Sequence, residues 1–286
     1  MSAAALRAIV ADALGSAPGA LTPLPGGCIG AVYRADFPAQ PALVVKYDAG
    51  PAPRLDVEAF MLRYLAQHSH LPVPAVIHAS PALLIMELLP GSSRFGAAAQ
   101  SHAADLLAAL HRCSAPSFGL AEDTLIGGLH QPNPWTTDWL DFFAEQRLRF
   151  MGQAALQEGR LSAATMDRLE RLCARLDRWL DEPPCPALLH GDVWTTNVLA
   201  LDGRISGFLD PAVYYGHPEI ELAFITLFGT FGAPFFARYQ EHHPLDAGFF
   251  EARRDLYNLY PLLVHARLFG GGYVRSIERT LERFGC

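Results

Sequence analysis

Five side chains in this sequence have the types and the order that moving a phosphoryl group requires: Lys46, Glu58, Asp192, Asn197 and Asp210. Such a reaction asks the protein for a carboxylate near the attacking hydroxyl, oxygen ligands for a divalent metal, and positive charge on the phosphates. Asp192 and Asn197 lie in Leu188-Leu-His-Gly-Asp-Val-Trp-Thr-Thr-Asn-Val-Leu199, where Asp192 would accept the hydroxyl proton and Asn197 would offer its amide oxygen to metal. Asp210 closes the apolar run at 205–209 and offers the main metal-binding carboxylate. Any one of these residues is more simply a turn or cap residue, since Asp and Asn favour such places. The ordered set is what points to chemistry.

Lys46 is the only lysine among the 22 Lys+Arg residues. Chance in an arginine-biased composition explains this on its own, but a compact ammonium on a thin stem is also what a phosphate contact needs. Its position supports the second explanation. It ends an apolar strand-like run, Gly26-Gly-Cys-Ile-Gly30 precedes it between two strands, and Glu58 follows in a helix, where it would pair with the lysine. Gly26, Gly27, Cys28 and Gly30 would let backbone N–H groups approach a nucleotide's phosphates. The Cys28 thiol in that loop is either redox-sensitive or simply buried. No GxxxxGK[ST] sequence is present, which excludes a P-loop nucleotidase. Residues 82–91 run as a strand into Pro90-Gly91; Glu87 and Leu89 would present backbone to adenine there, or the segment is an ordinary strand end.

Positioning these groups takes two kinds of structure. Residues 2–14 predict a helix, 31–37 and 42–46 predict strands, 56–67 a helix, and 75–79 and 82–87 two more strands. Beyond Pro90-Gly91 the pattern is helical over 97–113, 135–158, 162–180, 219–228 and 250–268, with short strands at 187–189 and 205–209. The fold class expected is therefore α+β, with a small β-rich lobe at 1–90 and a larger helical lobe at 91–286. Arg147 and Arg149 read as surface or lobe-packing residues and the aromatic run at 224–236 as core. With 51% hydrophobic and 18% charged residues the chain is long enough to bury such a core. The net charge of -7 offers no basic face to nucleic acid. No run of eighteen apolar residues and no leader pattern appears, so a cytoplasmic location with no membrane partner is expected. The five scattered cysteines form no CxxC pair, so neither a zinc site nor a disulfide framework is expected. Nothing in the chain points to an oligomer.

The His-x-Asp-x4-Asn spacing at 190–197 is similar to a kinase catalytic loop, and Asp210 takes the place of the DFG aspartate. Further segments resemble the fructosamine/ketosamine 3-kinase family: Gly26-Gly-Cys-Ile29, Ile126-Gly-Gly with Gln131-Pro-Asn-Pro-Trp135, Asp138-Trp-Leu-Asp-Phe-Phe-Ala-Glu-Gln-Arg-Leu148, Leu189-His-Gly-Asp-Val-Trp194, Asp210-Pro-Ala-Val-Tyr-Tyr-Gly-His217 and Leu268-Phe-Gly-Gly-Gly-Tyr273. The resemblance implies a protein-kinase-like two-lobe fold, related to aminoglycoside phosphotransferases, that phosphorylates the sugar 3-hydroxyl of ketosamines with ATP and Mg2+. It implies Asp192 as base, Asn197 and Asp210 on Mg2+, Lys46 on the nucleotide, Trp194 beside the sugar, and His217 and His265 near substrate, although helix packing is the simpler role for His265. Two positions depart from the family pattern: Thr196 where glycine is usual, and Glu221 where aspartate is expected. The alternatives are an aminoglycoside or choline-type kinase of the same fold, or a non-catalytic nucleotide-binding module.

Overall fold

A computed structural model describes residues 2–24 and 30–286. Gly26, Gly27 and Cys28 lie outside the described residues.

Strand alternation builds the N-terminal sheet and decides where its lysine points. Strands β1 (Ala20–Pro23), β2 (Ala31–Asp36), β3 (Leu43–Tyr47), β4 (Val76–Ser80) and β5 (Leu83–Glu87) form an antiparallel sheet in the order β1-β2-β3-β5-β4. Successive residues of a strand face opposite sides. Val45 and Ile85 pack on Leu6 and Val10 of helix α1 (Ala3–Leu14), which Ser2 caps by accepting from the N–H of Ala5. Val44, Leu84 and Met86 pack on Leu55, Ala59 and Leu62 of helix α2 (Leu55–His68). Lys46 shares Val44's face and so meets α2, whose Glu58 lies on its buried side.

The larger lobe begins with α3 (Ala97–Leu110), followed by the hairpin β6 (Thr124–Ile126) and β7 (Leu129–Gln131). The segment predicted as one helix over 135–158 is three pieces: α4 (Trp139–Phe142), a π-helical stretch Phe143–Arg149, and α5 (Phe150–Gln157). Helix α6 (Ala163–Cys173) ends before the expected boundary and is followed by a 3-10 turn at Leu176–Arg178. Then come β8 (Ala187–Leu189), the hairpin β9 (Val198–Leu201) and β10 (Arg204–Phe208), and β11 (Tyr214–Gly216), which pairs with β8. Helices α7 (Pro218–Leu227), α8 (Ala233–His242), α9 (Arg254–Tyr257), α10 (Leu259–Phe269) and α11 (Gly272–Arg283) complete the chain. The predicted helix 250–268 is broken, because a π-helical turn at Phe249–Arg253 precedes α9 and α10 carries Pro261 in its first turn. Among the described residues no helix is long and apolar enough to cross a membrane.

The Phe208 N–H donates to the Pro72 carbonyl (2.8 Å) and so ties the lobes together, while within the larger lobe Ser92 and Ala200 exchange backbone bonds of 3.0 and 2.9 Å. In the large lobe Trp139, Phe142, Phe143 and Tyr257 stack as an aromatic centre. Of the two roles read for Arg147, surface or lobe packing, the structure excludes the first, since the residue is fully buried. The π-helical stretch carries its guanidinium over Tyr214 (4.0 Å) and Phe142 (4.6 Å), where it donates to the Pro132 carbonyl and to Asn133 Oδ1, both at 2.7 Å. Ring faces and carbonyl dipoles, not a carboxylate, hold this cation.

Arg147→Ala should cost about 3–5 kcal/mol in urea unfolding, from the cavity left and the two abandoned acceptors. Arg147→Met, which keeps the volume, should lose clearly less. Equal losses for the two variants would mean that the cavity contributes nothing and that the abandoned bonds to residues 132–133 account for the whole loss.

Candidate active site

The end of β3, the buried side of α2 and the loop after β10 converge on one ammonium. Lys46 Nζ donates to Glu58 Oε1 at 2.6 Å and also to Asp210 Oδ1. Lys46 and Glu58 are 5% and 7% exposed, so water screens the pair little. Burial alone would lower the lysine's pKa, but Asp210 and Glu58 outweigh it and hold Lys46 above its ordinary value. Asp210 has φ +50°, a left-handed conformation that aspartate tolerates better than most residues.

Strand β8 leads directly into the other acidic loop. Gly191 has φ +85°, and a Cβ there would lie 2.0 Å from the Ala212 carbonyl oxygen, so only glycine fits between His190 and Asp192. The Gly191 N–H donates to Glu221 Oε1 (2.6 Å), while Glu221 Oε2 bonds His111 Nε2 (2.8 Å), whose Nδ1 meets the Tyr239 hydroxyl (2.7 Å). Ala212 N–H donates to the His190 carbonyl (2.7 Å), and Gln131 Nε2 donates to the Ala212 carbonyl (3.1 Å). These bonds stitch the Asp192 loop to the Asp210 loop. Burial pushes His190 down to about 4, so its ring is neutral.

Asn197 Nδ2 donates to Asp192 Oδ2 (2.9 Å) and to the Asp192 carbonyl (3.1 Å), which turns Asn197 Oδ1 away from the aspartate. Thr196 lies in a 3-10 turn, Thr195–Asn197, and is not among the residues with positive φ, so threonine fits where the family pattern has glycine. Burial and the charge of Asp210 push Asp192 up to about 8, against the opposing Asn197 bond.

Two hollows meet at Asp192. A cleft of about 560 Å3 is walled by Lys46, Glu58, Thr196, Asn197 and Asp210. A neighbouring hollow of about 410 Å3 is walled by Phe224, Pro261, Val264, His265, Leu268 and Phe269. Gly127, Asp192 and Trp194 line both. Trp194 is thus a cavity wall with its ring 5.8 Å from that of Phe228, rather than packing beneath its loop.

The structure brings Lys46, Glu58, Asp192, Trp194, Asn197, Asp210 and His265 together. Gly30 immediately precedes β2 with φ +68°, and a Cβ there would lie 2.5 Å from the Tyr47 carbonyl oxygen. Glu87 ends β5 exposed, and Leu89 packs on the face of Gly207 in β10. His217 stands apart from both hollows. Its Nδ1 accepts from the Glu219 N–H (3.1 Å), capping α7, and its ring packs on Trp139 and Tyr257. Sequence reasoning missed the Gly127-Gly128 turn, although two glycines with φ +51° and +83° between apolar strands are the mark of a tight hairpin. It also missed His111, Gln131 and the anchoring role of Glu221, which have no local signature.

A five-stranded sheet with a buried Lys–Glu pair, set over a helical lobe carrying two acidic loops, is the architecture of protein-kinase-like phosphotransferases. The chain belongs to the fructosamine kinase family, whose model matches residues 3–284. A relative named a probable ketoamine kinase in Synechocystis is 41% identical over 62% of this chain, a match spanning 59% of that relative's length. The protein-ribulosamine 3-kinase of Oryza sativa is 33% identical, covering 91% of this chain and 77% of the rice protein. A solved structure assigned as a fructosamine-3-kinase in Thermobifida fusca superposes with TM-score 0.85 and 31% identity, over 99% of this chain and 100% of that one. An aminoglycoside phosphotransferase solved with ADP and hygromycin B shares the fold at TM-score 0.69 and 16% identity, over 99% of each chain.

Burial, then the nearby charges of Arg253 and His111, push His217 down to about 3. The unfolded chain takes up a proton near pH 6.5 that the folded protein refuses, so this residue withdraws stability as pH falls from about 6.5 toward 3. His217→Asn keeps a capping oxygen for α7 but does not titrate. Its melting temperature relative to the parent should therefore rise steadily as pH is lowered from 7 to 4. A gap between the two that does not change with pH would exclude this role.

Proposed function

We propose that this protein transfers the γ-phosphate of ATP to the sugar 3-hydroxyl of a ketosamine. One observation carries the proposal: Asp192 and Trp194 stand where the polar cleft opens into the aromatic hollow, so a hydroxyl beside Asp192 can face a donor held by Lys46. Residues 1–90 would form the nucleotide lobe, with Glu87 and Leu89 offering backbone to the adenine, and 91–286 the catalytic and acceptor lobe.

The donor set fits Mg2+. Asp210 and the Oδ1 of Asn197, which is turned away from Asp192, are hard oxygen ligands. Among the described residues no cluster of three or more His, Cys, Asp or Glu forms a cage. A nucleotide-borne Mg2+ needs only one or two protein carboxylates. When bound, the metal neutralises charge developing on the transferring phosphoryl group. Asp192 orients the attacking hydroxyl and takes its proton, and Asn197 holds Asp192 in place. Trp194 offers a flat apolar face to the sugar. Lys46, kept charged by Glu58, contacts the phosphates. His265 faces the acceptor. We place the enzyme in the cytoplasm, acting on free or protein-bound sugar adducts and so removing them from amines.

Incubation with ATP, Mg2+ and a ribulosamine should yield product phosphorylated at sugar O3, identified by NMR. Asp192→Asn should lower kcat by about 10^2–10^4-fold with ATP binding retained. Lys46→Arg should lose at least about tenfold in kcat/KM for ATP, because a planar guanidinium is too wide for the slot between Glu58 and Asp210. Turnover of aminoglycosides alone would replace the acceptor but keep the kinase. ATP binding without turnover of any acceptor would leave a binding module.

A further inference from the structure

We infer that the aromatic hollow beside Asp192 is the subsite for the amine half of the acceptor, and that it selects amines carrying one positive charge and an apolar stem over polycations and acids. The inference rests on the ketosamine kinase function proposed above.

The hollow's composition is the first argument. Phe224, Pro261, Val264, Leu268 and Phe269 line it, and Asp192 at its inner end is the one acidic residue among its walls. A second ammonium held within the walls would be desolvated against carbon with no further carboxylate to pair with, and a carboxylate there would meet no basic group, Arg160 lying outside them beside Gly270. The hairpin turn closes one side, where Leu268 Cδ1 lies 3.0 Å from the point a Cβ on Gly127 would occupy.

His265 supplies the second argument. Its ring lies 4.9 Å from Phe228, 5.0 Å from Tyr273 and 5.6 Å from Phe269, centroid to centroid. Nδ1 is 2.7 Å from the Pro261 carbonyl, which can only accept, so Nδ1 carries the proton and Nε2 is left as an acceptor. Nε2 has no hydrogen-bond partner among the described residues. Burial lowers the pKa of His265 and keeps the ring neutral at pH 7. A neutral imidazole acceptor set among aromatic faces suits the single secondary ammonium of a ketosamine.

The third argument is the way out. Phe269 ends α10 at 58% exposure, one of few large apolar side chains left in water. It stands at the mouth, beside Gly270-Gly271. An alkyl stem on the amine that leaves past this ring gains contact that a methyl group cannot.

The test compares four ribulosamines made from methylamine, n-butylamine, putrescine and β-alanine, followed by ATP consumption. The butylamine adduct should exceed the methylamine adduct in kcat/KM by about tenfold, with the putrescine and β-alanine adducts at or below the methylamine adduct. Phe269→Ala, checked for an unchanged melting temperature, should shrink the butyl-to-methyl ratio from about ten toward one. Equal kcat/KM for the butyl and methyl adducts, a preference for putrescine, or an unchanged ratio in Phe269→Ala overturns the subsite while the ketosamine function stands. Failure of all four adducts alongside turnover of an aminoglycoside overturns both.

Discussion

A single buried ammonium has to balance the carboxylates of a helix and a loop, and most of the molecule is arranged to let it. The parity of β3 turns Lys46 toward α2, Glu58 meets it there, and the left-handed Asp210 swings in from the opposite lobe. Asp192 stands outside that pairing, and burial, then the charge of Asp210, push it up to about 8. A carboxyl group buried without a cationic partner is unfavourable for folding, and stability is commonly traded for function at such sites.

The acidic loops are short and would wander without support. Besides the bonds of Asn197 to Asp192 and of Lys46 to Asp210, backbone groups hold them in place. Glu221 takes the Gly191 N–H, His190 and Ala212 exchange a backbone bond, and Gln131 ties off the Ala212 carbonyl while itself accepting from the Tyr260 hydroxyl at 2.6 Å. The extra methylene of Glu221, relative to the expected aspartate, is accommodated within a complete network that runs on through His111 to Tyr239. Arg147 fixes the neighbouring 132–133 segment from behind.

What could be read from the sequence was whatever depends on local order. Lys46 at a strand end, Glu58 on the next helix and Asp192 with Asn197 in one loop announce themselves by spacing, and the α+β division follows from a change of hydrophobic period. Residues whose meaning depends on who packs against them were not legible. Arg147 read as either a surface or a packing residue because nothing in the sequence shows the π-helical stretch that carries it onto Tyr214. His217 and His265 were both substrate candidates, with helix packing the simpler role for His265, yet it is His217 that caps α7 and His265 that lines a hollow. The difference arises from the way α7 and α10 pack, which no short motif encodes.

The Gly127-Gly128 turn borders both hollows, so one short piece of backbone is a party wall between two tenants. Whichever ligand arrives first and stills that wall spares the second the entropy of doing so, and thermodynamic linkage makes the favour mutual. Donor and acceptor affinities in such an enzyme are therefore not separate properties, and a KM for either substrate has meaning only at a stated concentration of the other.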